Sequence, residues 1–199
     1  MSTLTTLTND IAAVMNRDDL GSVVPFFSKM GRLYLEKRWQ PNFLNAVDLL
    51  SPQGNSFLLP SDRLLIRKVK LITSGADSSI TLLKKKSEAF VRANSQVLKY
   101  YYDELGVGTL GSAPASGSKI SILYARSQPD LISINDTNAW LVNAYDVIFQ
   151  ATLMQAYKYQ HDAENRQIAE SELQVLATAM LDADVALTQS DNGSEPGDL

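Results

Sequence analysis

The chain has no cysteine, which excludes disulfides, thiol catalysis and cysteine-ligated zinc or iron. A single histidine, His161, leaves little for imidazole proton transfer or metal binding near neutral pH. No window approaches 18 uncharged apolar residues, so no membrane-spanning helix is expected. Met1-Ser2-Thr3-Leu4 puts no basic region ahead of an apolar stretch, so no secretory signal is expected either. Basic residues are missing from one end. Residues 1–166 hold all 18 Lys and Arg against 15 acids, a net of +3, whereas residues 167–199 hold seven acids and no base, a net of −7. A basic body with an acidic end suits head-to-tail protein contacts, or plain solubility, better than nucleic-acid binding.

What is present is 199 residues with 45% hydrophobic content, enough for one domain with a real core. Leu4, Leu7, Ile11 and Val14 form one stripe and predict a helix over 3–15. Pro25 opens a second, over 25–39, with Lys37 and Arg38 at its negative end and Pro41 stopping it. The period then changes. Apolar runs at 43–50, 56–59 and 64–73 are separated by turn signals, and Ile80–Leu83 and Ile120–Ala125 read as further strands, giving a β insertion over about 43–126. Residues 87–105 read either way, and 106–118 (GVGTLGSAPASGS) predict a mobile loop.

In the last third, Thr137 caps a helix over 138–160, with Trp140, Leu141, Tyr145, Ile148 and Ala151 along one side. His161-Asp162 turns the chain into a helix over 163–188. Its stripe is Ile168, Glu172, Val175, Leu176, Ala179, Met180, Ala183 and Leu187. The expected fold is therefore mainly α with a small antiparallel β-sheet (α+β), a helical bundle ending in a long antiparallel helix hairpin. Trp140, Tyr145, Ile148, Leu176 and Met180 are expected to pack that hairpin and its subunit contacts. Residues 189–199 (QSDNGSEPGDL) have a composition that predicts no secondary structure of their own.

No catalytic constellation emerges, and the chain reads as a soluble structural subunit, with no cofactor, no metal and no enzymatic role. The nearest approach to a phosphate loop, Gly111 to Lys119, has the wrong spacing and leads into a strand. Ser112, Ser116 and Ser118 read as loop serines and His161 as a solvated corner; Asp18-Asp19 and Asp103-Glu104 are ordinary turn carboxylates. Lys84, Lys85 and Lys86 near Tyr100-Tyr101-Tyr102 resemble a single-strand nucleic-acid surface, but a solvated strand end beside packing tyrosines is the commoner arrangement.

Several short motifs occur in a telling order. Phe57-Leu58-Leu59-Pro60-Ser61-Asp62 leads to Leu65-Ile66-Arg67-Lys68-Val69. A strand with Ile122-Leu123-Tyr124-Ala125-Arg126 ends near Pro129-Asp130-Leu131, and Asn138-Ala139-Trp140-Leu141 opens the helix to Tyr159. Over roughly residues 5–188 this resembles the head-to-tail adaptor (connector) proteins of short-tailed bacteriophages. It departs in the middle, where an expected Gly-Pro-x-Tyr stretch and a strand ending in Pro-x-Pro are reduced to the loop at 106–118.

The resemblance implies one adaptor-like domain over 1–188 that forms a dodecameric ring of identical subunits below the portal protein. Such a ring widens the DNA exit channel in the virion and carries the tail nozzle and tail fibre proteins. Genomic DNA would pass without specific binding, with Lys84, Lys85 and Lys86 as channel-facing candidates. The segment 189–199 would dock on the portal through Asp191, Glu195, Pro196, Asp198 and Leu199. Another neck, head-completion or tail-tube component is the nearest rival, and a DNA-binding regulator the rival of another class.

Overall fold

The computed structural model describes residues 2–74 and 79–192, with the side chains of Asp18 and of residues 187–192 left aside. Helix α1 (Leu4–Met15) starts at Thr3, whose side chain forms a capping box with Thr6, and stops where Asn16 turns left-handed at φ 50°. It buries Leu4, Leu7 and Ile11, whereas Val14 faces outward. Helix α2 (Val24–Arg38) takes Pro25 in its first turn and ends where Trp39 becomes extended ahead of Pro41.

Between the helices lie β1 (Asn45–Leu50), β2 (Ser56–Leu58), β3 (Arg63–Ile72), β4 (Ile80–Lys85), helix α3 (Glu88–Ala93), β5 (Tyr100–Glu104), β6 (Val107–Leu110) and β7 (Lys119–Arg126). The strands form a seven-stranded sheet in the order β1-β7-β3-β4-β5-β6-β2. All neighbours are antiparallel except β4 and β5, which are parallel and need the crossover through α3. One face buries Phe57, Val69, Leu71, Leu83, Tyr101, Leu110, Ile120, Ile122 and Tyr124.

Helix α4 (Ala139–Asn143), α5 (Tyr145–Tyr159) and α6 (Ala163–Asn192) complete the chain. Asn138, not Thr137, caps α4. The chain divides into two compact units, a helical one (residues 1–44 and 128–199) and a sheet one (Asn45–Ser127).

These elements correct several expectations. The chain is mixed α and β, and its sheet is neither small nor purely antiparallel. The loop expected over 106–118 contains β6, because Gly108 leaves room for the Phe57 ring: a Cβ there would stand 2.3 Å from it. The glycines that read as loop signals are what lets this strand lie beside β2. The single helix expected over 138–160 is split at Ala144, whose φ −147° and ψ 55° are not helical. On α6 the buried stripe is Ala169, Leu173 and Ala177. The larger Ile168 and Val175, expected inside, are exposed, and Leu176 and Met180 are half-buried.

Candidate assembly surfaces

The helical unit is tied together by polar groups as well as by its core. Arg32 on α2, almost fully buried, donates to Glu36 one turn on at 2.8 Å and to Asp130 at 2.5 Å. Lys29 reaches the other Asp130 oxygen at 2.6 Å. Glu36 also accepts the Gln128 backbone N–H at 2.9 Å. The segment entering α4 is thus pinned to α2. Hydrogen bonds from Lys29, then Arg32, hold the Asp130 carboxyl below its ordinary range, against the opposing effect of burial. Gly31 brings α2 so close to α5 that a Cβ would stand 3.0 Å from the Ala151 backbone.

The expected hairpin residues divide by exposure. Trp140 is fully buried and meets Phe43 edge-on at 5.1 Å between ring centres. Ile148 is fully buried on α5, which packs on α2 and α6. Both belong to the chain's own core, and a neighbouring copy cannot reach them. Tyr145 is half-buried and donates its hydroxyl to Asp10; burial first, and then this bond, raise its pKa. Leu176 lines an open apolar hollow of about 400 Å³ with Ser171, Glu172 and Val175.

Lys84, Lys85 and Lys86 do come together with the tyrosines. Lys84 pairs with Tyr100 and Lys85 with Tyr101 across the parallel strands. Lys85 forms an ion pair with Asp103, and Lys86 sits 5.5 Å over the Phe90 ring, which itself meets Tyr100 edge-on. Arg92 pairs with Glu88 at 2.5 Å. Several of these cations therefore already have partners within the unit. Of the expected docking segment, Glu195, Pro196, Asp198 and Leu199 lie outside the described residues, and Asp191 is described only as part of the α6 backbone.

Two surfaces escaped the reading of the sequence. On α6, the side turned away from Ala169, Leu173 and Ala177 carries Glu164, Ile168, Val175 and Asp182, with Val175 70% exposed. On the sheet, the face turned away from the core carries Val47 (65% exposed), Leu49 (60%), Ile80 (67%) and Leu82 (51%), together with Lys68, Lys70, Lys84 and Lys119. The alternation Lys68-Val69-Lys70-Leu71 was the available signal for this second face.

The serines and the histidine weighed for catalysis lie apart in sequence and differ in exposure. Ser118 is buried, and its hydroxyl has no partner among the described residues, whereas His161 lies exposed between α5 and α6 at φ 59°. Among the described residues no three His, Cys, Asp or Glu side chains cluster in a way that could hold a metal ion. No helix among them is long and apolar enough to cross a membrane.

A family model described as SU10 adaptor protein matches residues 2–197, nearly the whole chain. The chain belongs to the SU10 adaptor protein family. The likeness to phage head-to-tail adaptors drawn from the sequence thus holds at the level of the family. As an SU10 adaptor, the chain is a structural phage protein of the virion that works by contact with other head and tail proteins. No curated protein matches it.

Proposed function

We propose that this chain is a head-to-tail adaptor that assembles as a ring of identical copies below the portal, lengthens the DNA exit channel and supplies the platform for the tail nozzle and fibres. The observation that carries this reading is the adaptor-family match over residues 2–197. The fold supports it with surfaces that suit association more than chemistry: apolar side chains left outside on both α6 and the sheet. In this reading 1–188 act as the adaptor body, and α5 and α6 act as a hairpin presented to neighbouring copies. The acidic segment 189–199 docks on the portal. A ring contact is heterologous, closing by rotation.

The test is native mass, measured on the chain alone and mixed with the portal of the same virus. A ring-sized complex that requires portal supports the adaptor role. A monomer indifferent to portal sinks it. Deleting 189–199 should leave a folded chain that no longer joins the portal, and attachment surviving that deletion would refute the docking role.

The cluster of Lys84, Lys86, Tyr100 and Tyr102 favours a second reading, a DNA-binding regulator. Salt-sensitive DNA binding by the isolated chain would favour it, whereas the adaptor role predicts little. The partners already held by Lys85, Lys86 and Arg92 weigh against it.

A further inference from the structure

We infer that adjacent copies join by laying α6 of one across the outer face of the sheet of the next, a contact whose direction is set by charge. This rests on the ring reading and specifies its subunit interface.

The sheet supplies the first half of the argument. Strand registers give cross-strand rows on the outer face of β1, β7, β3 and β4: Val47, Leu123 and Lys68; Leu49, Ser121, Lys70 and Leu82; Lys119, Ile72 and Ile80. A sheet with one face on its core and apolar side chains on the other lacks a second layer. The charges in these rows are all lysines; the rows contain no carboxylate.

Helix α6 supplies the second half. Its inner stripe, Ala169, Leu173 and Ala177, is buried. Its outer stripe repeats apolar residues at Ile168 and Val175 between Glu164 and Asp182, with Glu172 on the flank. The charges on this side are all acidic. A helix about 10 Å across fits on four strands spaced about 4.8 Å apart.

Charge then selects among the possible pairings. Two sheets face to face would oppose lysine rows, and two α6 helices would oppose carboxylates, so both two-fold arrangements meet like charge. Helix on sheet joins opposite signs while burying apolar residues of both. It uses different patches on the two copies, the heterologous kind of contact that builds rings.

Charge reversal in the full chain, assembled with portal, provides the test. Lys68→Glu with Lys70→Glu should raise the concentration needed for ring formation by roughly tenfold or more. Glu164→Lys with Asp182→Lys should do the same, and the two pairs combined should restore assembly, a rescue that misfolding could not produce. Because the chain has no cysteine, Val175→Cys with Leu82→Cys introduces the only thiols. Mild oxidation of that ring should give a covalent ladder between copies, while a mixture of the two single variants should stop at dimers. A ring that forms normally with Lys68→Glu and Lys70→Glu, and never cross-links, overturns this contact and leaves the ring standing. The same holds if those lysine changes weaken only DNA binding. Absence of any oligomer with portal overturns the ring reading and the contact together.

Discussion

The helical unit and the sheet unit of this chain carry opposite charge. Residues 1–44 and 128–199 hold 16 acids and 7 bases, a net of −9, whereas Asn45–Ser127 hold 11 bases and 6 acids, a net of +5. They also differ in how they are closed. The helical unit is knit internally by a tight α2–α5 crossing, by the buried Arg32–Glu36 pair and by the part-buried Arg32–Asp130 pair. The sheet is finished on one face and carries exposed apolar side chains among lysines on the other. The net charge of −4 for the whole chain conceals this division. In the ring reading, this division gives each copy regions of opposite sign to offer its neighbours.

Ile148→Asp should break the comparison most severely. An unpaired charge at a fully buried position of α5 costs several kcal/mol or more, on the order of a domain's whole stability. Helical circular dichroism should collapse, and a variant with wild-type helicity would show that the core lies elsewhere. Gly31→Leu should follow, costing about 3 kcal/mol, because the added atoms meet the Ala151 backbone. Urea unfolding checks this, and an unchanged midpoint would mean that the crossing is looser than described.

Acid should separate the units next. Asp19, Asp130, Asp136 and Asp162, whose pKa values are lowered in the folded chain, all lie in the helical unit. A depressed folded pKa gives stability that is present above the unfolded value, near 3.9, and lost as pH falls through the folded one. Helical stability should therefore decline below about pH 4. Asp130→Asn should flatten part of that decline; an identical pH profile would remove the Lys29 and Arg32 pairs from the account. The smallest effect is expected for Val175→Asp on the outside of α6, within about 0.5 kcal/mol for the isolated chain, while ring formation weakens. A large loss of stability would mean that this side is not free in the monomer.

Much of the helical unit was legible in the sequence. Leu4, Leu7 and Ile11 keep helical spacing under a Thr cap, and Pro25 and Pro41 bracket α2. In β3 the run of β-compatible residues from Leu64 to Ile72 announced the strand, though not which of its faces is buried. The misses share a cause, the use of small residues for close approach. Gly108 read as a loop breaker but makes room for Phe57. On α6, Ala169 and Ala177 were passed over for the bulkier Ile168 and Val175, yet the alanine side is the one that is buried. Hydrophobicity favours large side chains, and where helices meet closely small ones pack instead. The break at Ala144 has no Gly or Pro to announce it. As for the candidate surfaces, the lysine cluster beside the tyrosines was found in the sequence. The outer faces were not, since a residue's exposure depends on which of two stripes the tertiary fold selects.

Asn45 pairs with Ala125 across β1 and β7, so the chain enters and leaves the sheet at neighbouring points. To the helical unit the whole sheet is a loop whose ends are already joined, and lengthening it costs little closure entropy. Synthesis meets this arrangement in time. Helix α2 ends at Arg38, and the partner that Gly31 crosses is complete only at Tyr159, about 120 residues later. At roughly 5–20 residues per second, the first two helices wait on the order of 10 s on the ribosome while the sheet emerges. The insertion can therefore finish folding before its host does, and the newborn chain would expose the outer face of its sheet before it has an α6 of its own to offer a neighbouring copy.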